Sequence, residues 1–185
     1  SDRSPDAPAQ ILVADDVEMN RDLLARRVRR IGHEVLVAVD GRQALEVLRE
    51  RPVDVLLLDI MMPNMNGYEV LEAMAADERL RHVPVIMISA IDEKESIARC
   101  IELGADDYLP KPFDPLILQA RLGASLARKR LREREQLYQK SLVRELEIGR
   151  EIQAHFLPAT LPALPGYELA ARLRSARMAG GDFYD

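Results

Sequence analysis

The chain has 185 residues, long for one small domain and short for two full ones. It is 48% hydrophobic and 31% charged, an ordinary balance for a globular protein able to build a core. The net charge of -5 argues against a broad nucleic-acid-binding face. The single cysteine, Cys100, cannot close an internal disulfide and sits in a helical apolar pattern with Ile97 and Ile101, so it reads as a small core residue.

The opening stretch, residues 1–8, is polar and carries Pro5 and Pro8, so it reads as a disordered tail. It lacks the apolar core of a signal peptide, and no later apolar run is long enough to span a bilayer. The expectation is a cytoplasmic chain that engages neither membrane nor nucleic acid.

From Gln10 the pattern alternates between short apolar runs and amphipathic stretches. Ile11–Ala14 is a strand ending in Asp15 and Asp16. A helix follows through Leu23, Leu24, Val28 and Ile31, with Gly32 as its stop. Val35–Val39 is the second strand, and Asp40–Gly41 opens a helix through Leu45 and Leu48. Val53–Leu58 is nearly all apolar and runs into Asp59. Tyr68–Met74 is helical. Val85–Ile88 is the fourth strand, ending at Ser89. A helix through Ile97 and Ile101 stops at Gly104, a short strand at Tyr108–Leu109 leads to Pro110, Lys111 and Pro112, and from Phe113 the chain turns helical again.

Five strand-then-helix units with strands apolar on both faces predict a central parallel sheet covered by helices. The expected fold is a flavodoxin-like α/β domain over residues 9–127, with strand order 2-1-3-4-5 and its ligand site at the carboxyl ends of the strands.

Residues 128–157 are rich in Arg, Glu, Leu and Lys and contain no proline, which predicts a helical linker growing out of the last helix. Tyr138, Leu142, Leu146, Gly149, Ile152 and Phe156 recur at three- and four-residue steps, an interrupted coiled-coil seam through which the chain would dimerise. Residues 158–185 are punctuated by Pro158, Pro162 and Pro165, too short to bury a core alone, and read as the truncated start of a further domain.

The strand ends carry the chemistry. Asp15, Asp16, Asp59, Ser89 and Lys111 all fall at one edge of a parallel sheet. Three converging carboxylates repel one another, and a hard divalent cation removes that conflict. A cation held there would neutralise phosphoryl oxygens and permit attack by a carboxylate. Ser89 can hydrogen-bond a phosphoryl oxygen and Lys111 can supply a fixed positive charge. Taken singly the residues are weak evidence: Asp16 or Ser89 could cap a helix, and Lys111 could be ordinary surface. Asp59 is harder to dismiss, because a carboxylate closing an apolar run needs a partner.

The set Asp15-Asp16, Leu56-Leu57-Leu58-Asp59-Ile60-Met61-Met62-Pro63 with Gly67, Ile88-Ser89-Ala90 and Tyr108-Leu109-Pro110-Lys111-Pro112-Phe113 closely resembles the receiver domains of bacterial two-component response regulators. The resemblance implies phosphorylation of Asp59 by a sensor histidine kinase or phosphotransfer protein. It implies binding of Mg2+ or Mn2+ by Asp16, Asp59 and the backbone carbonyl of Met61, with Asp15 acting mainly through water. Ser89 and Lys111 would sense the phosphoryl group, Tyr108 would be an aromatic switch following Ser89, and the Lys111–Pro112 bond would be cis. Dimerisation would use the linker helix or the fourth and fifth receiver helices. Met61 and Ile91, two residues beyond Asp59 and Ser89, are both apolar and cannot orient an attacking water, so slow self-hydrolysis of the phosphoaspartate is expected.

Further on, Glu151–Pro158, Leu161-Pro162, Pro165-Gly166-Tyr167-Glu168 and Ala179–Asp185 resemble the opening of sporulation-stage-II-protein-E-like PPM phosphatases, which are metal-dependent protein serine/threonine phosphatases. That resemblance implies an output domain acting on a phosphoprotein with Mn2+ or Mg2+. Asp182 and Asp185 are candidate metal ligands beside the paired glycines. The family's later metal aspartates would lie past Asp185, so these residues alone are not expected to form a competent phosphatase. A different reading is a phosphorylation-gated adaptor that binds a partner protein through receiver and linker, with a catalytically dead phosphatase-like domain. A nucleotide- or flavin-binding enzyme is disfavoured, because no glycine-rich loop follows the first strand. A DNA-binding regulator is disfavoured by the proline-rich segment after the long helix.

Overall fold

The structure, a computed structural model, describes residues 7–90 and 94–156, with the side chains of 94, 95, 150 and 152–156 excepted. Ile91, the proline-punctuated segment 158–185 and its candidate ligands Asp182 and Asp185 lie outside the described residues.

Among the described residues, five strands and five helices alternate in order: β1 (Gln10–Ala14), α1 (Glu18–Arg30), β2 (Glu34–Ala38), α2 (Gly41–Glu50), β3 (Val55–Asp59), α3 (Gly67–Ala76), β4 (Val85–Ser89), α4 (Lys94–Glu102), β5 (Asp107–Pro110) and α5 (Pro115–Phe156). The strands form one parallel sheet in the order β2-β1-β3-β4-β5. This is the flavodoxin-like architecture expected from the sequence.

Every residue of β1, β3 and β4 is buried, as befits strands covered on both faces. Alternate side chains feed two cores. Leu12, Leu56, Leu58 and Met87 pack with Leu45, Leu48, Leu71, Met74 and Cys100 on the side of α2, α3 and α4. Ile11, Val13, Leu57, Ile86 and Ile88 pack with Leu24, Val28, Leu118 and Leu122 on the side of α1 and α5. Each fully buried aliphatic side chain contributes about 1.5–3 kcal/mol. The Cys100 thiol is buried in the first of these cores, and that burial pushes its pKa up.

Helix ends follow local chemistry. Gly32 and Gly104 take positive φ (93° and 98°) just past α1 and α4. Asp40 caps α2 by accepting from the Gln43 amide at 2.9 Å, and that bond, with one from Asn64, holds its carboxyl below the ordinary range. Asn66 and Glu69 form a capping box on α3. Phe113, expected to be helical, precedes its helix: Asp114 accepts from the Leu116 amide at 2.7 Å and Pro115 takes the first helical position. The Phe113 ring instead lies under the Arg27 guanidinium, 5.2 Å from its centroid.

The amino ends of the strands are fastened separately. Asp54 accepts from the Gln10 amide at 2.8 Å and from the Lys129 ammonium at 2.7 Å. The Ala9 amide lies 3.4 Å from Nδ1 of His33. Lys129 thus ties the first part of α5 to the start of β3.

The chain divides into two units between Leu131 and Arg132. In the second, α5 continues to Phe156, and Tyr138, Leu142 and Leu146 of the expected seam are exposed. No helix among the described residues is long and apolar enough to cross a membrane.

Candidate functional site

The parallel sheet brings the carboxyl ends of β1, β3, β4 and β5 to one rim. β1 and β3 are neighbours, so Asp15, Asp16 and Asp59 converge there, with carboxylate oxygens within 4.8 Å of one another. Asp15 is 1% exposed and Asp59 6%, whereas Asp16 is exposed. β5 delivers the last member: Lys111 follows it, and the Lys111–Pro112 bond is cis. Its ammonium lies 2.7 Å from Oδ2 of Asp15 and 3.0 Å from Oδ2 of Asp59.

Partners distinguish the three acids. Asp15 is held on both oxygens: Oδ1 accepts from the Val17 amide at 2.9 Å and from Asn20 at 3.2 Å, and Oδ2 accepts from Lys111. Asp59 Oδ1 accepts from the Ile60 amide at 2.9 Å. The carboxylate of Asp16 accepts no hydrogen bond from the described residues. Nor does it cap a helix: α1 is capped at Val17, without a side-chain bond.

Burial pushes the Asp59 carboxyl above its ordinary value; the Lys111 hydrogen bond and charge oppose this, and Asp15 adds to it. For Lys111, burial lowers the ammonium pKa, but its hydrogen bonds to Asp15 and Asp59 outweigh that and leave it raised. One cation shared by two buried acids leaves the rim short of positive charge. The donor set is all hard oxygen, and it fits a divalent ion such as Mg2+.

Ser89 closes β4 and is buried. Its carbonyl accepts from the Lys111 amide at 2.7 Å and lies 3.5 Å from the Tyr108 hydroxyl, whose ring is also buried. Ser89, Lys111 and Tyr108 are therefore linked through one carbonyl oxygen. Met61 is 64% exposed, two residues beyond Asp59.

Two contributors, Asn20 and Arg21, were not singled out from the sequence as parts of this site, whereas Gly67 was part of the motif quoted there. Asn20 holds Asp15, and Arg21 donates to the carbonyls of Asp15 at 2.7 Å and Asp16 at 2.8 Å. Gly67 lies so close to the end of β3 that a Cβ there would be 2.5 Å from the Asp59 carbonyl oxygen. Asn20 and Arg21 follow Asp16 by four and five residues, so placing the first turn of α1 at the sheet rim would have pointed to them.

Known proteins carry the same arrangement of sequence and fold. The response regulator PleD of Caulobacter vibrioides is 41% identical over 123 residues, covering 66% of this chain and 27% of PleD. The chemotaxis protein CheY4 of Vibrio cholerae superposes with a TM-score of 0.62 at 31% identity, over 65% of this chain and all of CheY4. The receiver domain of the sensor histidine kinase PA1611 from Pseudomonas aeruginosa, solved with a magnesium ion coordinated in its active-site cleft, gives a TM-score of 0.62 at 30% identity over 65% of this chain and 99% of that domain. This chain spans about half or less of the length of the first curated relatives it matches. The response regulator receiver domain family matches residues 11–123, and with the fold and the rim of acids agreeing, the chain belongs to that family.

Proposed function

We propose that the chain accepts a phosphoryl group on Asp59 from a sensor histidine kinase or phosphotransfer protein, and that a divalent cation, Mg2+ or Mn2+, is required. The observation that carries this reading is the convergence of Asp15, Asp16 and Asp59 within 4.8 Å around an ammonium that touches two of them. The PA1611 domain, with magnesium in its cleft, supports the choice of metal.

Asp16, Asp59 and the Met61 carbonyl would hold the ion, and Asp15, saturated by Val17, Asn20 and Lys111, would act through water. When bound, the ion supplies positive charge to the phosphoryl oxygens. A carboxylate oxygen of Asp59 forms the new bond to phosphorus, the bond from phosphorus to the donor imidazole nitrogen breaks, and that imidazole takes a proton from solvent. Lys111 turns its ammonium from Asp59 toward the new phosphoryl oxygens, and the Ser89 hydroxyl donates to another. Movement at Ser89 passes to Tyr108 through the shared carbonyl and so to the face made by α4, β5 and α5.

The output is proposed from sequence alone: a cytoplasmic response regulator, dimerising through α5 or that face, that controls a metal-dependent serine/threonine phosphatase domain beginning after Leu157. The alternative is an adaptor with a dead phosphatase-like domain; phosphatase activity that needs Mn2+ or Mg2+ and is lost on replacing Asp182 would favour the first, and its absence the second.

The test for Asp59 is intact mass before and after incubation with Mg2+ and acetyl phosphate. The wild-type chain gains one phosphoryl group, and Asp59→Asn gains none. No gain in the wild type, or an equal gain in the variant, overturns the proposal.

A further inference from the structure

The three acids are not equally restrained. Asp15 is fixed by the Val17 amide, Asn20 and Lys111, and Asp59 by the strand ladder, the Ile60 amide and Lys111. Asp16 is exposed and follows the end of β1, in a turn leading into a helix with no side-chain cap. The peptide that follows Asp16 is held at both ends: its N–H, on Val17, by the Asp15 carboxylate, and its carbonyl, on Asp16, by Arg21. This half-buried guanidinium donates from one nitrogen to the carbonyl oxygens of both Asp15 and Asp16. Arg21 is itself anchored in the first turn of α1 by its amide, 3.1 Å from the Val17 carbonyl.

The choice of acceptor matters. Lys111 contacts carboxylate oxygens, where an incoming cation would compete with it. Arg21 contacts carbonyl oxygens, so it can stay in place while the carboxylates take a metal. One terminal guanidinium nitrogen carries two hydrogens, which suffices to bridge two carbonyl acceptors without bonding their side chains.

We propose that Arg21 is a positioning residue for divalent-cation binding, presetting the turn that carries Asp16. The proposal rests on the cation site described above. Without the bridge, the turn keeps only the hydrogen bond between the Val17 amide and Asp15, and the freedom regained at the Asp15 and Asp16 carbonyls must be ordered when the cation binds; ordering one residue's backbone corresponds to roughly a tenfold loss of affinity.

The test uses the full chain with Arg21→Met, Arg21→Gln and Arg21→Lys. Mg2+ binding is measured by titration calorimetry, and phosphorylation by acetyl phosphate is followed as a function of Mg2+ concentration. For Arg21→Met and Arg21→Gln, the Mg2+ dissociation constant and the half-saturating Mg2+ concentration both rise about tenfold, while the rate at saturating Mg2+ stays within about twofold of wild type. Arg21→Lys, which keeps a cationic donor, recovers most of the affinity.

A merely structural role would lower the folded fraction, and with it the amplitude, leaving the half-saturation point unmoved; that result overturns the proposal. Should Arg21→Met fail to fold by circular dichroism, Arg21→Lys against Arg21→Gln decides, and equal Mg2+ affinities in the two overturn it. A wild-type chain that binds no Mg2+ removes the underlying site; one that binds Mg2+ as weakly as Arg21→Met removes only the role of Arg21.

Discussion

The Lys111 ammonium stands 3.0 Å from Oδ2 of Asp59 and 2.7 Å from Oδ2 of Asp15. It is thus the counter-ion that lets two buried acids share a rim. Replacing it by methionine, which keeps the stem, leaves those acids facing each other. Lys111→Met is expected to lower stability by about 1–3 kcal/mol in chelator, less than a fully buried pair would lose because the site reaches solvent. Added Mg2+ should shrink the deficit by supplying the missing charge. Urea unfolding with and without Mg2+ measures both quantities, and a deficit that does not respond to Mg2+ contradicts this account.

A methyl group at Gly67 would press on the Asp59 carbonyl oxygen at 2.5 Å and on Ile60 Cα at 3.0 Å. Both neighbours are backbone, so the end of β3 must shift. Gly67→Ala should cost about 1–3 kcal/mol by overpacking and weaken Mg2+ binding as well, because the displaced strand end carries Asp59, a proposed ligand. Chemical denaturation and calorimetry on the same preparation test the two effects together; loss of stability with unchanged Mg2+ affinity would show that Asp59 does not move with the strand end.

His33 provides a pH dependence remote from the acids. Burial lowers its pKa from the ordinary 6.5, the nearby Arg130 lowers it further, and Asp54 opposes them. Its Nδ1 is placed to accept from the Ala9 amide, which requires the neutral ring. The folded state therefore favours unprotonated His33, and its contribution is present above pH 6.5 and lost as pH falls through the lower folded value. Stability should rise with pH as 6.5 is approached from below, and His33→Gln should flatten that part of the profile. An NMR titration midpoint for His33 at 6.5 would abolish the effect, and one above 6.5 would reverse its sign.

Met61 is 64% exposed beside the acids and carries no group able to orient a water for in-line attack. Phosphorylated chain is expected to persist for many minutes after the phosphodonor is removed, and Met61→Asn, which supplies an amide, is expected to shorten that life severalfold. Intact mass against time measures it. Loss of the phosphoryl group within seconds in the wild type would contradict the expectation. Ile91, the other apolar residue invoked from sequence, lies outside the described residues.

The rim was legible because β1, β3 and β4 are buried on both faces, so each reads as an unbroken apolar run with a polar residue at its end. Boundaries were blurred where that condition fails. β2 lies at the sheet edge with Glu34 and Val37 exposed, and its expected span, Val35–Val39, falls one residue late. Val53 looked like the start of a strand, but the Asp54 side chain is engaged with Gln10 and Lys129, and β3 begins at Val55. Phe113 is apolar and next to a helix, yet it packs beneath Arg27 ahead of that helix. Arg21 escaped notice because its acceptors are main-chain carbonyls, which every residue possesses, so a cation in a first helical turn looks like any solvated one.

Fastening and chemistry occupy opposite ends of the same strands. Gln10, Asp54 and Lys129 lock the amino ends, while Asp15, Asp59 and Lys111 crowd the carboxyl ends. Because the sheet is parallel throughout, the length of every strand separates the two sets. The double negative charge that the proposed phosphorylation would place at one rim therefore falls a strand's length from the bolts at the other. On that reading the domain would be charged and discharged without loosening the joints that keep it folded.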